Sequence, residues 1–439
     1  MSAIALRNRG KERDVHPSDS ASRTTGPPLG GQATVLVLAG MLTIMAGAVV
    51  SPAIPGIRAA FADTADADLL SRMITSTHAL AIVVFAPFAG ALSERIGRKR
   101  ALVIGMFAFA VGGSSGFYLP GLYSILAGRI VLGLGVALVM TTSMAMVADL
   151  YEGSDRQRLL GRQTSAGAFG GVLLLVGGGA LAGLGWRSVF LVYLLGAVLA
   201  VAALRYLPGG DRQRGSTDGD TGSSVSPRRW WPVGITAALA AMLLGQVAFY
   251  SVPIQVPFLV ENDFHATSIA SGAVIAVQTL TTGLVSLRFA AIRRLAGEYV
   301  LVAVAFAAVG AGYLVLFAAP HVVVLGVGTL IMGVGLGILM PTLNNWVVNA
   351  APEDSRGRYA GFLTTALFLG QFLAPIVTQP AVSRLGIQPL FLIIAAGALV
   401  VAVSYLAASR RRARVDTEPD ADRPGTLASR LDQGSPHVR

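Results

Sequence analysis

Eleven long stretches without Asp, Glu, Lys or Arg, one of them long enough for two spans, constrain this chain more than any other feature. Arg23 to Arg58 encloses 34 such residues, and further gaps run 73–93, 101–128, 130–148, 163–186, 188–204, 230–260, 264–287, 359–383 and 385–409. A last gap, 299–352, is 54 residues long and is interrupted near Ala319-Pro320-His321, so it holds two spans. A helix needs about 20 apolar residues to cross a bilayer, within a range of about 17–25. Closed barrels would instead show alternating segments of about 10 residues. Gly, Ala, Leu and Val dominate here without alternation. In lipid only helices and closed barrels satisfy every backbone group, so the fold class is an all-α membrane protein with twelve transmembrane helices. Charged residues make up 13% of the 439, against about 25% in soluble domains. Cysteine is absent, which excludes a disulfide framework. The first span follows a polar stretch too long for a secretory leader.

The net charge of +11 has a topological reading. With the N-terminus cytoplasmic, the tails and the even-numbered connections hold 29 of the 34 Lys and Arg. That asymmetry is the positive-inside signal. It places both termini in the cytoplasm and the basic loops against anionic headgroups. No nucleic-acid partner is needed to explain the charge. Arg58, Arg72, Arg129, Arg187 and Arg384 are the five exceptions. Lys11 and Lys99 stand against 32 arginines, a bias of GC-rich coding DNA that favours a bacterial inner membrane.

By composition, residues 1–32 read as a disordered tail, 33–207 as a six-helix bundle and 208–232 as a flexible linker. Residues 233–408 read as a second six-helix bundle, and 409–439 as a second disordered tail. The halves repeat at an offset of 200. Twelve of the 43 positions 128–170 recur unchanged, including the Arg156-x-Arg158-x-x-Gly161 pattern at Arg356, Arg358 and Gly361. Internal repeats of six helices are a mark of secondary transporters, whose two bundles rock about a midplane site.

The loop after the second span reads Gly90-Ala91-Leu92-Ser93-Glu94-Arg95-Ile96-Gly97-Arg98-Lys99-Arg100. It resembles the loop pattern of the major facilitator superfamily, Gly-x-Leu-Ala-Asp-Arg-x-Gly-Arg-Lys, departing at Ser93 and Glu94. The resemblance covers all twelve spans and implies two pseudo-symmetric six-helix bundles. It also implies that Gly90, Glu94, Arg95, Gly97, Arg98 and Lys99 form a conformational latch. In the family the acid faces the start of the eleventh helix, here near Gly361. The second arginine pairs with an acid ending the fourth helix, here Asp149. A carboxylate is favoured at a helix N-terminus, and ion pairs can differ between two states. The second half carries a degraded copy with Arg294, Gly297 and Glu298 at the matching places.

Arg129 lies inside the fourth span and resembles the family's fourth-helix arginine, which implies a part in proton transfer. A charge at a span's centre costs about 2.5–3.5 kcal/mol on insertion scales, so it marks function by default. Its position near the outer end also permits simple snorkelling. His78, in the second span, is the other titratable candidate for proton coupling. The glycines from Gly167 to Gly179 resemble the family's antiporter motif, but the expected Gly-Pro pair is missing and Leu173 to Leu175 stands there. Close helix packing accounts for the same glycines. No acid lies deep in any uncharged run.

Gln246, Phe249, Tyr250, Gln278, Asn345, Trp346 and Gln371 are the candidate substrate-binding residues, polar or aromatic groups within spans. The same groups can also hold helices together. No Walker loop, metal cluster or nucleophile–base pair is present in the sequence, so neither an enzyme nor direct ATP coupling is expected. The expected function is proton-coupled efflux of a neutral or amphipathic small molecule by a monomer without a bound cofactor. Transport of a sugar-like or anionic metabolite is the alternative, and a transporter-like receptor is the alternative of another class.

Overall fold

The computed structural model describes residues 30–208 and 233–417, and every regular element among them is helical. The first half holds α1 (Gly31–Ala48), α2 (Thr77–Ile96), α3 (Arg98–Gly113), α4 (Leu122–Leu150), α5 (Gly153–Leu184) and α6 (Trp186–Tyr206). The second holds α7 (Val233–Phe258), α8 (Ser268–Leu287), α9 (Glu298–Phe317), α10 (Val322–Ala350), α11 (Arg356–Leu385) and α12 (Ile387–Thr417). Among the described residues, eleven helices are long and apolar enough to cross a membrane, or twelve when the bent pair Gly31–Thr43 and Met45–Ala60 is counted as one span. Helices apolar on every side belong in lipid or a large core.

The linker and tails expected from composition fall mostly outside the described residues. One boundary changes. α12 carries the chain to Thr417, well past the expected bundle end at 408. The added turns read Arg410-Arg411-Arg412-Ala413-Arg414. Arginine forms helix well, and cations suit a helix C-terminus. Arg412 also lies 4.4 Å above the Tyr299 ring.

In the first half α5, α1, α4 and α2 pack in a row, with α3 and α6 behind them. In the second half α8, α10, α7 and α11 repeat that row, with α9 and α12 behind. The halves meet where α5 packs on α8 and where α2 packs on α11. Each half has its own apolar core. Each core tethers its first helix through a buried tyrosine, but from swapped positions. Tyr193 of α6 donates to the Ala46 carbonyl at 2.8 Å and packs on Phe109 of α3. Tyr313 of α9 donates to the Ala248 carbonyl at 2.5 Å and packs on Phe391 of α12.

The two faces of the bundle differ. The face bearing the Arg95–Arg100 and Arg156–Arg162 connections is called the basic face below. At the opposite face the α1–α2 connection folds into a turn (Ser51–Ala53) and two short helices (Ile54–Ala60 and Ala67–Met73). These pack against α7, α8 and α11 of the other half. Toward the basic face, a Cβ added at Gly90, Gly161, Gly357 or Gly361 would meet nothing within 4 Å. The starts of α5 and α11 are largely exposed there. The halves are shut together at the opposite face and parted at the basic one.

Candidate functional site

The closure at the opposite face has a polar clamp. Arg72, on the short helix Ala67–Met73, is 4% exposed and donates to Gln255 Oε1 of α7 at 3.2 Å. Gln255 in turn donates to Thr378 Oγ1 of α11 at 3.2 Å. The Arg72 guanidinium also lies 4.2 Å over the Phe258 ring and donates to the Asp68 carbonyl at 2.9 Å. Burial pushes its pKa down to about 10, so it remains charged at neutral pH. The hydrogen bond from Arg58 at 2.7 Å holds the Asp68 carboxyl below the usual carboxylate range. Arg72 is one of the five exceptions to the positive-inside pattern, and that sidedness is the sequence signal that singles it out.

The clamp stands beside a glycine seam between α5 and α8. A Cβ on Gly179 would lie 2.5 Å from the Ser268 carbonyl oxygen and 2.9 Å from Ile269 Cα. A Cβ on Gly272 would lie 2.4 Å from the Leu175 carbonyl oxygen. Small residues let two backbones approach this closely. Gly170 serves another contact, within the first half, where its Cβ would strike the Met41 side chain.

Arg129 does not snorkel. It is 1% exposed, with its guanidinium 4.8 Å from the ring centres of both Phe190 and Tyr193. Nε and Nη2 have no hydrogen-bond partner. Two aromatic contacts contribute about 0.5–2 kcal/mol each, well short of the cost of burying an unpaired charge. His78 is 2% exposed and sits in the field of this cation, with Nδ1 unpartnered. A Cβ on Gly47 would meet both His78 Cε1 and the hydroxyl of Tyr250. Tyr250 thus brings the second half against Gly47 and the His78 ring of the first. At the offset of 200, Gln278 takes the place of His78 and Thr329 that of Arg129. Thr329 donates to the Val274 carbonyl at 3.1 Å, while both amide atoms of buried Gln278 lack partners.

The expected binding set separates into two groups. Gln371 donates to Gln246 at 3.2 Å, joining α11 to α7, and Gln246 reaches Met340 Sδ at 3.4 Å. Phe249 and Tyr250 pack as a tilted pair 5.8 Å apart next to them. One turn toward the basic face, an apolar cleft of about 530 Å³ opens between α7 and α11. Its lining includes Leu239, Leu243, Phe362 and Leu369, with Thr236 and Thr365 as polar groups. Trp346 lies elsewhere. It packs against Tyr299 at 4.6 Å and Tyr405 at 6.4 Å, inside the second bundle near the basic face. Asn345 donates to its own helix at Pro341 and lines a small pocket with Arg293 and Glu298. Both are drawn away from Gln246 and Gln371 because they face α9 and the α8–α9 connection.

The family pattern described as Major Facilitator Superfamily matches residues 36–375 and 238–432. The chain belongs to that superfamily. Among its relatives is the class C tetracycline resistance protein of Escherichia coli, 26% identical over 78% of this chain and 88% of that one. Myo-inositol transporter 2 of Cryptococcus neoformans is 28% identical over 40% of this chain and 32% of that one. Multidrug resistance protein Stp of Mycobacterium tuberculosis is 30% identical over 36% of this chain and 30% of that one. The match thus spans about a third of the length of those last two relatives. The solved D-xylose-proton symporter shares the fold with a TM-score of 0.69, at 16% identity over 85% of this chain and 96% of that one. The protein is a multi-pass membrane protein of the superfamily.

The superfamily loop is built as a turn between α2 and α3. Gly97 has φ 89°, which a side chain would strain, and Arg98 starts α3 directly after it. Arg98 pairs with Asp149 and donates to the Ala145 carbonyl at 3.0 Å. Lys99 donates to the Leu204 and Leu207 carbonyls at 2.8 and 2.7 Å, capping the end of α6. Glu94 and Arg95 are exposed. The expected partner of Glu94 shifts: α11 begins at Arg356, so Gly361 lies in its second turn. Among the described residues, no hydrogen bond or ion pair joins the exposed Glu94 side chain to α11. In the degraded copy, Glu298 follows Gly297 at the start of α9, where an acid suits the helix N-terminus.

One acid escaped the sequence reading. α7 does not stop at its charge boundary but continues through a π-turn, Leu259–Asp263. Pro253 and Pro257 lack the N–H that an α-helix needs, and the turn follows them directly. It leaves Glu261 half-buried inside the span.

Proposed function

We propose that the protein is a proton-coupled exporter of neutral or amphipathic small molecules, working by alternating access from a bacterial cytoplasmic membrane. The basic face is the cytoplasmic one, and the conformation seen here is open to the cytoplasm. The observation that carries the substrate class is the route between α7 and α11. Its lining is apolar with two threonines, and the Gln246–Gln371 amide pair lies one turn deeper. Ligand sites are of this kind when a largely apolar solute is oriented by a few polar groups. The resistance proteins among its relatives support export. Arg129 and His78 support a role for protons, since an unpaired buried cation beside an imidazole gives a site whose charge state a proton can change.

Arg129 also favours a second reading, an anionic metabolite whose carboxylate or phosphate would satisfy the free guanidinium edge. Transport in everted vesicles, with and without a pH gradient and against a panel of lipophilic drugs, sugars and organic anions, separates the two. Uptake of lipophilic compounds that stops when the gradient is collapsed is the expected result. Flux indifferent to the gradient overturns proton coupling, and selective flux of anions moves the assignment to the second reading.

A further inference from the structure

The α7–α11 cleft has an outward side that the amide pair does not explain. Three directions are fixed around α11. Gly370 meets α7, Gln371 meets Gln246, and Phe368 packs on the core of the first half. At about 100° per residue, Phe362 and Leu369 stand about half a revolution round from Gln371, on the flank turned away from the first half. The α7 wall agrees. Thr236, Ala240 and Leu244 recur every four residues and are exposed, while Ala238, Ala241 and Met242 turn into the core of the second half. The cleft therefore opens sideways, toward the bilayer. Its inner wall reaches Leu239 and Leu243, below Gln246 on α7.

The cleft also has a cation at its cytoplasmic rim. Arg358, Phe362, Thr365 and Leu369 follow one another at spacings of four, three and four, which makes one stripe of α11. Arg358 is exposed and makes no ion pair among the described residues. Its twin Arg158 pairs with Asp155 at 3.5 Å, but Ser355 stands at the matching place, and Glu353 is taken by Arg356 at 3.4 Å. The first half closes the equivalent place. There Gln163 of α5 donates to the Leu36 carbonyl of α1 at 3.1 Å, and a Cβ on Gly40 would strike the Gln163 side chain. In the second half Leu363 replaces Gln163 and turns into the core, and Ala240 replaces Gly40. A free cation below an open apolar cleft is thus a departure from the repeat.

We propose that this cleft is a side entrance that takes an amphiphile with an acidic head from the inner leaflet. The head rests on Arg358, and the apolar body lies between Phe362 and Leu369 on one wall and Leu244 on the other. The inference rests on the export reading and names the substrate class for it. The stripe from Arg358 to Leu369 rises about 16 Å, close to the ~15 Å of hydrocarbon in one leaflet. An amphiphile already aligned in the leaflet therefore matches the stripe end to end. Guanidinium and carboxylate or phosphate form charge-assisted hydrogen bonds, and the cleft walls carry no charge that would oppose the chain. The volume of about 530 Å³ admits a single chain but not the two of a phospholipid. From this position the Gln246–Gln371 pair is one turn away.

The probe is dodecanoate with a photoreactive diazirine near its chain end, added at mildly alkaline pH to the full chain in phosphatidylcholine vesicles. Irradiation and peptide mapping should place the label on residues 236–244 and 362–369. Unlabelled dodecanoate should compete about fivefold better than dodecanol. Arg358→Gln should remove that preference and Arg358→Lys should keep it. Ala240→Phe, which fills the cleft, should abolish the labelling. Label spread evenly over the lipid-facing helices, or a preference that survives Arg358→Gln, overturns the proposal. Displacement by phosphatidylglycerol but not by dodecanoate also overturns it and marks a resident lipid. Specific labelling without dodecanoate flux in the same vesicles would remove the export reading and leave the binding site.

Discussion

Replacing Gly272 by alanine puts the seam between α5 and α8 under load. The added Cβ would lie 2.4 Å from the Leu175 carbonyl oxygen and 3.2 Å from its carbon, where ordinary contact begins at 3.4 Å. The obstacle is backbone, so no rotamer change relieves it, and the helices must separate by about an ångström. Overpacking of this kind costs about 1–3 kcal/mol. The cost falls on the outer-shut state alone, because the seam is already parted in the outer-open one. The helix-propensity gain of Gly→Ala appears in both states and cancels. The ratio of outer-open to outer-shut protein should therefore rise about 5- to 150-fold. The chain has no native cysteine, so impermeant-maleimide labelling of Ser51→Cys, a site 0% exposed in the closed connection, reads that ratio, and export should fall because return to the inward-open state is impeded. Gly179→Ala should act in the same direction. The double variant should cost less than the sum, since one separation relieves both clashes. Gly177 and Gly183 lie on the same helix with nothing within 4 Å, so their alanine variants should leave labelling unchanged. Equal labelling rates in Gly272→Ala and Gly183→Ala, in protein that purifies folded, would refute the reasoning.

The latch should respond to charge more than to stability. Arg98 and Asp149 are 34% and 49% exposed at their side chains, so breaking the pair should cost under about 1 kcal/mol of stability while export drops. Glu94→Ala should likewise weaken export without reducing the amount inserted, and undiminished export by both variants would sink the latch role. Gln246→Ala leaves the buried Gln371 amide without its acceptor. It should raise the KM for export about fivefold or more, with little change in kcat; an effect confined to kcat would remove the pair from the substrate route. Asp68 contributes to the outer connection through its carboxylate, whose pKa the Arg58 hydrogen bond depresses. Its contribution is present above the ordinary carboxylate pKa and is lost as pH falls through the depressed value. Asp68→Asn should abolish that acid-range change in the labelling of a cysteine placed at buried Ser51.

What the sequence reveals and what it hides follow from different physics. Lipid rejects charge at every point of a span, so counting uncharged runs finds the helices, and the positions 128–170 expose the repeat without any geometry. Facing direction is another matter. Trp346 and Gln246 are both polar or aromatic residues in apolar helices, yet one packs against Tyr299 and the other meets Gln371. Only tertiary packing separates them, because these helices carry no amphipathic stripe to say which side is which. Glu261 was hidden for a local reason. It stands at a charge boundary, where an uncharged-run count stops, and two prolines and a π-turn extend the span beyond that point.

The pseudo-symmetry also isolates Arg129. If its place between α2 and α4 needed only a tether, Thr329 shows how little that takes: one hydroxyl donating to the Val274 carbonyl at 3.1 Å, with no charge to compensate. The first half instead buries a guanidinium between Phe190 and Tyr193 and leaves Nε and Nη2 without partners. Close packing of the second and fourth helices is common to both halves, since a Cβ on Gly133 would lie 2.3 Å from the His78 carbonyl oxygen and one on Gly333 2.8 Å from that of Gln278. An arrangement more costly than its own twin is retained for something the twin does not do. That difference supports the coupling role proposed for Arg129 and His78 in the first half.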